Sequence, residues 1–283
     1  MIKILNPGFY STIQDKGRIG FAKFGVPISG AMDLYAADFA NHVLNNSVSD
    51  ALLEITFGSC VLEFLENTSI CISGADFSPL LNHSKITLHK RIEVHKNDVL
   101  SFGKRNYGAY AYLAVKGGFR SEIKLKSRSY FQNITKEPLL KKGDLLSISS
   151  INEEFSTSNA SIKFSNHHFE SKEIHCHKGP EFEMLTDFQQ KALFENTFTI
   201  SKEINRIGYK LEELIENNLP QILTSAVFPG TVQLTPSGKL IVLMRDCQVT
   251  GGYPRVLQLS EKSINQFAQK TTNDTFCFSL LEN

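Results

Sequence analysis

Short runs of alternating apolar and polar residues recur along the chain, and they are the feature that most constrains its fold. Clear runs are SCVLEFLENTSICISG (59–74), SKITLHKRIEVHKNDVLSFG (84–103), YGAYAYLAVKGG (107–118), GTVQLTP (230–236) and KLIVLMRDCQVTGGYP (239–254). A period of two is typical of strands with one buried face. Clusters of Gly, Asn and Asp between the runs indicate turns. The pattern predicts a mainly β fold.

Helical spacing is confined to a few short segments. Apolar residues within 31–46 fall on one helical face. The segment 186–196 opens with Thr186 and has a glutamine three residues later, which predicts a capping box. The segment 260–270 begins with Ser260, a favourable N-cap residue. We therefore expect a few short helices among the strands.

The chain has 283 residues, a length that suits two domains. A polar stretch rich in Ser and Asn, SSINEEFSTSNAS (149–161), is the predicted linker. The motif RIGF at 18–21 recurs as RIGY at 206–209, which suggests an internal repeat that relates the two halves of the chain. We predict two small β-barrel domains, 1–150 and 161–283. The 21 Phe residues and the absence of Trp fit cores filled by phenylalanine.

Charge and cysteine content exclude several classes of function. Thirty basic and 29 acidic residues give a net charge of +1, so no nucleic-acid or anionic-membrane partner is expected. Without an evident signal peptide or apolar span, we expect a cytoplasmic protein. Five dispersed cysteines predict neither disulfides nor a zinc site. His175 and His177 would share one face of a strand, but with no third ligand in view no metal is predicted.

The segment DKGRIGFAKFGVPISGAMD combines glycines, a proline and charges near the N-terminus. Ser29 and Gly30 are placed at the start of the following helix, where free N–H groups favour an anion. Arg18 can grip a carboxylate or phosphate with two N–H groups. Alternatively, Arg18 pairs with Asp15 or Asp33 and the glycines only form turns. Both readings stay open at this point.

A second candidate stretch is MRDCQVTGGYPRV (244–256). Its candidate site residues are Asp246, Gln248, Gly251, Gly252, Tyr253 and Arg255. If the strand continues, Asp246 and Gln248 share a face, and the double glycine redirects the chain beyond them. Such groups can hydrogen-bond a planar amide or a carboxylate, with Asp246 as a candidate general base. The alternative is a barrel corner with a structural Asp–Arg pair.

Weaker candidates are Asp76, at a strand end in CISGADFSP, and Arg206, in RIGYK. The sequence has no G-x-x-x-x-G-K-[ST] phosphate loop and no G-x-S-x-G nucleophile elbow. The sequence has no lysine flanked by methionines, so it does not predict covalently attached biotin. If the protein uses ATP or carboxybiotin, we expect another polypeptide to supply part of that site.

In combination, these motifs resemble one family over nearly the whole chain. The segments that carry the resemblance are STIQDKGRIGFAKFGVPISGAMD, AADFANHVLNN, ALLEITFGSCVLEF, ISGAD, AYLAVKGGF, RIGYKL, PGTVQL and DCQVTGGYPRV. The family is variously named 5-oxoprolinase C subunit, allophanate hydrolase subunit 2 or biotin-dependent carboxyltransferase, and it includes the KipI antagonist KipA. The resemblance implies cyclophilin-like barrel domains.

The resemblance also implies a function with partners. Together with the A subunit and the KipI-like B subunit of a 5-oxoprolinase, the protein would open 5-oxo-L-proline to L-glutamate with ATP as co-substrate. One alternative is a biotin-dependent carboxyltransferase acting on urea or a similar amide. The other is a KipA-like binding protein that antagonises a KipI-type kinase inhibitor.

The predicted site unites the two candidate stretches. Its catalytic residues are Asp246, Asp76 and Arg18, and its substrate-binding residues are Ser29, Gly30, Asp33, Arg206, Gln248, Gly251, Gly252 and Tyr253. The sequence departs from the family pattern in three places. Cys247 and Val249 replace Arg and Thr, Lys126 and Tyr130 replace Gly and Thr, and KTTND (270–274) replaces a common RPGD turn.

Overall fold

The structure is a computed structural model that describes residues 1–149, 164–165, 167–220 and 222–281. From residue 150 onward, the predicted linker at 149–161 lies outside these residues. The domain bounds 1–150 and 161–283 therefore stay a prediction.

Two compact units make up the chain. The N-terminal unit comprises Met1–Arg18 and Asp33–Asn166, and the C-terminal unit comprises Ile19–Met32 and His167–Asn283. The glycine-rich segment that follows Arg18 thus belongs to the C-terminal unit, although it lies early in the sequence.

Strands dominate the N-terminal unit, in agreement with the predicted mainly β fold. Its elements are β1 (Ile2–Pro7), β2 (Tyr10–Gln14), α1 (Leu34–Val43), β3 (Leu52–Thr56), β4 (Cys60–Phe64), β5 (Thr68–Asp76), β6 (Leu80–Leu81), β7 (Ser84–Lys85), β8 (Ile92–Val94), β9 (Val99–Ser101), β10 (Tyr107–Val115) and β11 (Leu145–Leu146). They form one sheet in the order β11-β1-β4-β9-β6-β7 and a second in the order β2-β3-β10-β5-β8.

Alternation along the strands builds the core of this unit. In β4, Cys60, Leu62 and Phe64 are buried, whereas the two residues between them are half-buried. The core joins residues of both sheets, for example Leu62 with Leu53 and Leu113. Each fully buried large aliphatic side chain stabilises the fold by about 1.5–3 kcal/mol relative to an exposed one.

The second sheet also has a buried polar row on its opposite face. Strand pairing sets Thr12 opposite Glu54, Glu54 opposite Tyr112, and Tyr112 opposite Ser73. All four side chains are buried. The Ser73 hydroxyl donates a hydrogen bond to the Ala36 carbonyl in α1, which ties the helix to this face.

His89 lies in an aromatic environment within the same unit. Its ring stacks on Phe164 at a centroid distance of 4.1 Å and meets the edge of Phe39 at 5.5 Å. Burial lowers the pKa of His89 to about 4, and the nearby charge of Asp76 opposes this shift only in part. The imidazole is therefore neutral at physiological pH.

A closed barrel forms the centre of the C-terminal unit. The elements are α2 (His167–Glu170), β12 (Glu173–Lys178), α3 (Asp187–Glu195), β13 (Phe198–Ile204), β14 (Gly208–Leu214), β15 (Ser225–Ala226), β16 (Thr231–Leu234), β17 (Lys239–Leu243), β18 (Thr250–Gly251), β19 (Arg255–Leu259), α4 (Glu261–Ala268) and β20 (Thr275–Leu280). The barrel order is β12-β19-β16-β17-β14-β13-β20, and a parallel pairing of β12 with β20 closes it.

Phenylalanine fills much of this barrel, as the composition predicted. Phe276 contacts Phe267 and Phe278 edge-to-face, with ring centroids 5.2 and 5.0 Å apart. Phe198 packs on Phe278 at 5.2 Å. Edge-to-face pairs add about 0.5–1.5 kcal/mol each beyond the area that they bury.

Capping signals located two helices correctly, whereas the spacing of apolar residues misplaced the start of a third. Thr186 and Gln189 form the predicted capping box of α3, and the Ser260 side chain caps α4. Helix α1, however, begins at Leu34 with Asp33 as its N-cap, whereas 31–46 was expected. The Asp33 carboxylate accepts the Ala36 amide at 3.0 Å, so the residues before it are not helical.

All five cysteines are free, and four of them are buried. His175 and His177 do lie in a strand, β12. Among the described residues, no three His, Cys, Asp or Glu side chains cluster closely enough to hold a metal ion. Within the same part of the chain, no helix combines the length and hydropathy needed to cross a membrane.

Candidate functional site

The segment around Ser29 is a strained bend in the C-terminal unit. Ser29 and Gly30 are buried and have left-handed φ values of 57° and 87°. This conformation costs a residue with a side chain about 1–2 kcal/mol. The prediction that both residues begin a helix is wrong, because α1 starts only after Asp33. A left-handed bend, not a helix terminus, presents their polar groups.

Arg206 and Asp246 form a buried ion pair that holds this bend. Arg206 Nε and Nη2 donate to the two carboxylate oxygens of Asp246 at 2.7 and 3.0 Å. Arg206 Nη2 also donates to the Gly30 carbonyl at 2.7 Å, and the Asp246 amide donates to the Arg206 carbonyl at 2.8 Å. The structure thus unites three of the predicted site residues, Gly30, Arg206 and Asp246.

Arg245 supports the same bend from a second direction. Its carbonyl accepts the Ser29 amide at 2.9 Å, and its Nε donates to the Met32 carbonyl at 3.4 Å. The guanidinium also donates to the Glu261 carboxylate at 2.6 Å and to the Asn265 side-chain oxygen at 2.9 Å, both in α4. The backbone on both sides of Gly30 is therefore fixed by arginine contacts.

Three donors on this bend lack an acceptor among the described residues. The Ser29 Oγ is buried without a hydrogen-bond partner, and the amides of Gly30 and Ala31 donate no hydrogen bond there. Leaving a buried hydroxyl unsatisfied costs about 1–3 kcal/mol. Strain and unsatisfied donors in consecutive residues are features of ligand sites more often than of plain turns.

The rest of the second candidate stretch does not converge as predicted. Asp246 lies in a turn after β17 that is closed by the Cys247 amide and the Met244 carbonyl, so it shares no strand face with Gln248. Gln248 is exposed. Arg255 forms a two-pronged ion pair with Glu181, at 2.9 Å from Nε and 2.8 Å from Nη2.

Close approach, not backbone conformation, explains the double glycine of this stretch. Neither Gly251 nor Gly252 has a positive φ. A Cβ at Gly251 would lie 2.7 Å from the Gln233 amide nitrogen, and one at Gly252 would lie 3.0 Å from the Ile222 carbonyl. Tyr253 follows on the surface, and its ligand-binding role stays a prediction.

Arg18 and Asp15 brace a loop of the N-terminal unit. The Arg18 side chain is fully buried and donates to the Ser129 carbonyl. The Asp15 carboxylate accepts from the Ser127 hydroxyl at 2.6 Å and the Ser129 hydroxyl at 2.7 Å. It also accepts the Arg128 amide at 2.6 Å. These contacts join the DKGR segment to the SRS segment.

Asp33 joins the buried polar row of the N-terminal unit. Its backbone amide donates to the Tyr112 hydroxyl at 2.7 Å. Burial, followed by the charges of Glu54 and Asp33, holds the pKa of Tyr112 well above its usual value. The phenol is therefore a neutral hydrogen-bonding group, and Asp33 is primarily the helix cap.

Asp76 has the contacts of a turn-forming residue. Its carboxylate accepts the Ser78 amide at 2.7 Å and the Asn106 side-chain amide at 2.9 Å. Such local bonds are typical of an Asx turn. The catalytic role predicted for Asp76 stays a prediction.

Two departures from the family pattern have structural explanations. Lys126 has a φ of 63°, a conformation that glycine adopts without strain, so the family's usual glycine is understandable there. Cys247 is buried against Val227 and Leu243, and burial raises the pKa of its thiol to about 12. Cys247 is thus a small core residue and not a reactive thiolate.

The sequence analysis did not identify several polar residues that form hydrogen-bond networks in the structure. Arg245, Glu54, Tyr112 and Asp15 were not predicted as site residues. The available signal was polar residues inside apolar strand runs, such as the glutamate in LLEIT, which is buried. A buried carboxylate requires hydrogen-bonding partners, so such a residue marks a polar network.

Comparison with known proteins identifies the class of protein to which this fold belongs, that of carboxyltransferase domains. A profile of the carboxyltransferase domain, subdomain A and B, matches residues 24–280. The chain belongs to this family, which confirms the predicted resemblance.

Individual members of the family are similar to this chain over most of its length. The chain is 30% identical to the 5-oxoprolinase C subunit of Escherichia coli (strain K12), over 95% of this chain and 87% of that protein. It is 28% identical to the 5-oxoprolinase C subunit of Haemophilus influenzae, over 98% and 90%. Among solved structures, the urea amidolyase of K. lactis matches with a TM-score of 0.88 and 26% identity. That match covers 99% of this chain but only 19% of the urea amidolyase chain.

Proposed function

We propose that this protein is the C-type subunit of a multi-subunit 5-oxoprolinase. With an A-type subunit and a KipI-like, B-type subunit, it would convert 5-oxo-L-proline, ATP and water to L-glutamate, ADP and phosphate in the cytoplasm. One observation carries the proposal: the sequence similarity to proteins named as the C subunit of 5-oxoprolinase extends over nearly the full length of both proteins. In one case it covers 95% of this chain and 87% of the relative.

The chemistry of a lactam fits the groups on the Ser29 bend. A lactam carbonyl is a poor electrophile, and transfer of a phosphoryl group to its oxygen makes the ring carbon easier for water to attack. The C–N bond then breaks as the nitrogen takes up a proton, which leaves an acyl phosphate. A second water molecule hydrolyses this acyl phosphate to the carboxylate and phosphate. Negative charge develops on oxygen during these steps, and fixed N–H and O–H donors stabilise such charge. On the Ser29 bend, the Ser29 hydroxyl and the amides of Gly30 and Ala31 are fixed donors that suit an anionic group of the substrate.

ATP is proposed as a co-substrate that a partner subunit binds or shares. The absence of a G-x-x-x-x-G-K-[ST] loop from this sequence supports that arrangement. We propose no covalently attached biotin and no resident metal. Asp246, one of the three predicted catalytic residues, binds Arg206, which suits it to holding the Ser29 bend in shape.

Reconstitution tests the proposal directly. The three purified subunits are incubated with 5-oxo-L-proline and ATP, and glutamate release is measured. One control omits this chain and keeps the other two, and a second control omits ATP. Glutamate that depends on all three subunits and on ATP is the expected result. Release no greater than that of the two-subunit control refutes the proposal.

The second candidate is a biotin-dependent carboxyltransferase acting on urea or a similar amide. The similarity to the K. lactis urea amidolyase, with a TM-score of 0.88, favours it. This function requires a biotin carboxylase and a biotin carrier. Carboxylation of urea that depends on this chain, measured with labelled bicarbonate, would favour it over lactam opening.

A further inference from the structure

Some polar groups of the Ser29 bend have hydrogen-bond partners within the protein, and others have none. The Ser29 amide is used by the Arg245 carbonyl, and the Gly30 carbonyl is used by Arg206. The Met32 carbonyl receives Arg245 Nε. In the described part of the chain, the Ser29 hydroxyl and the amides of Gly30 and Ala31 receive no acceptor. What the bend lacks is therefore an acceptor, and not a donor.

We infer that Ser29, Gly30 and Ala31 form a cradle for the carboxylate of the substrate, which orients the lactam for reaction. A carboxylate is acceptor-only when ionised and takes several hydrogen bonds at once, so it matches one hydroxyl and two amide donors. A neutral amide oxygen would use fewer of them. This inference rests on the proposed function and names which part of 5-oxo-L-proline the bend holds.

Backbone conformation supports the same assignment. A serine with a φ of 57° is strained where glycine would not be, and its side chain is 1% exposed with no partner for the hydroxyl. Neither strain nor burial of a hydroxyl favours folding, so packing alone gives no reason for serine at this position. A bound acceptor supplies that reason.

Arg206 and Asp246 are positioning residues in this arrangement. Both guanidinium nitrogens that contact Asp246 and Gly30 are already engaged, at 2.7 to 3.0 Å. Arg206 therefore acts on the ligand through the Gly30 peptide, whose carbonyl it holds while the amides of Gly30 and Ala31 donate. Asp246 fixes the orientation of Arg206 and does not act as the general base.

The test compares two ligands that differ only in the carboxylate. Binding of 5-oxo-L-proline and of 2-pyrrolidinone to the assembled complex is measured by calorimetry without ATP. Ser29→Ala removes the hydroxyl, and Ser29→Gly removes it while relieving the strain. Ser59→Gly is the matched control, because Ser59 is an exposed serine with a φ of 62°. Arg206→Lys keeps the charge but not the planar fork.

We expect both Ser29 variants to weaken 5-oxo-L-proline binding at least tenfold and to leave 2-pyrrolidinone binding unchanged. Arg206→Lys should raise KM for 5-oxo-L-proline more than it lowers kcat, and Ser59→Gly should match the wild type. Equal losses for both ligands, or wild-type binding by Ser29→Gly, would overturn the cradle. Wild-type complex that binds no 5-oxo-L-proline would overturn it too.

The two proposals fail in different ways. If the wild-type assembly releases glutamate and the Ser29 variants behave like wild type, the cradle is wrong and the function stands. If the assembly releases no glutamate but binds 5-oxo-L-proline with the expected dependence on Ser29, the function is wrong and the cradle stands.

Discussion

The Arg206–Asp246 pair should be energetically coupled far more strongly than an ordinary surface ion pair. The side chains are 7% and 11% exposed, and two hydrogen bonds of 2.7 and 3.0 Å join them. Removing one partner leaves a buried charge, which costs about 3–5 kcal/mol. Arg206→Ala and Asp246→Ala should each destabilise by about 3 kcal/mol, and the double variant by about 4 kcal/mol. The coupling energy is then about 2 kcal/mol.

A double-mutant cycle measures this coupling. Urea unfolding is followed by far-UV circular dichroism and by tyrosine fluorescence, since the chain has eight Tyr and no Trp. Glu137 and Lys141 provide the control cycle, because this i,i+4 pair at 2.9 Å is 40% and 64% exposed. Its coupling should stay below about 0.5 kcal/mol. If the Arg206–Asp246 coupling is no larger than that of the control, the buried brace does not hold the bend as argued.

Two further predictions concern backbone and titration effects elsewhere in the protein and use the same unfolding assay. The pKa of His89 is lowered to about 4 in the folded state and is about 6.5 in the unfolded state, so the unfolded chain takes up the proton first as the pH falls. The free energy of unfolding should therefore fall by about 1–2 kcal/mol between pH 6.5 and pH 4 and should not depend on His89 above pH 6.5. His89→Phe should remove that part of the pH dependence, and an unchanged slope would contradict the assignment. Gly74 and Gly25 have φ values of 79° and 77°, but a Cβ would overlap the Tyr110 carbonyl only at Gly74. Gly74→Ala should cost at least about 3 kcal/mol and Gly25→Ala about 1 kcal/mol, so equal losses would refute the steric argument.

Locally encoded features of the protein were predictable from its sequence. The alternation in CVLEF is reproduced as the buried and half-buried residues of β4. The caps at Thr186 and Ser260 depend on neighbours three residues away, and both formed as expected. The start of α1 was misplaced, because the apolar residues at 31 and 32 fit the helical pattern while Asp33 makes the cap. Competing local signals thus limited even the short-range predictions.

The candidate site was predictable in its members but not in its arrangement. Sequence motifs drew attention to Ser29, Gly30, Arg206 and Asp246, without indicating that the arginine and the aspartate pair with each other. Asp246 was expected to continue a strand toward Gln248, but the turn after β17 directs it to Arg206. A hydrogen bond that closes a local turn competes with strand continuation, and the pattern of apolar residues does not distinguish the two outcomes.

By itself, the sequence determined the mainly β class, the caps of α3 and α4 and the family, since these depend on neighbouring residues and on ordered motifs. Only the tertiary structure decided which charges meet. Arg206 lies 40 residues from Asp246 and 176 from the Gly30 carbonyl that it also binds. Pairings at such separations form only when folding brings remote segments together. A buried polar group without a hydrogen bond is costly, so each group pairs with a partner that the fold places nearby. The Ser29 hydroxyl has no such partner within the described residues, and no local sequence pattern predicts this.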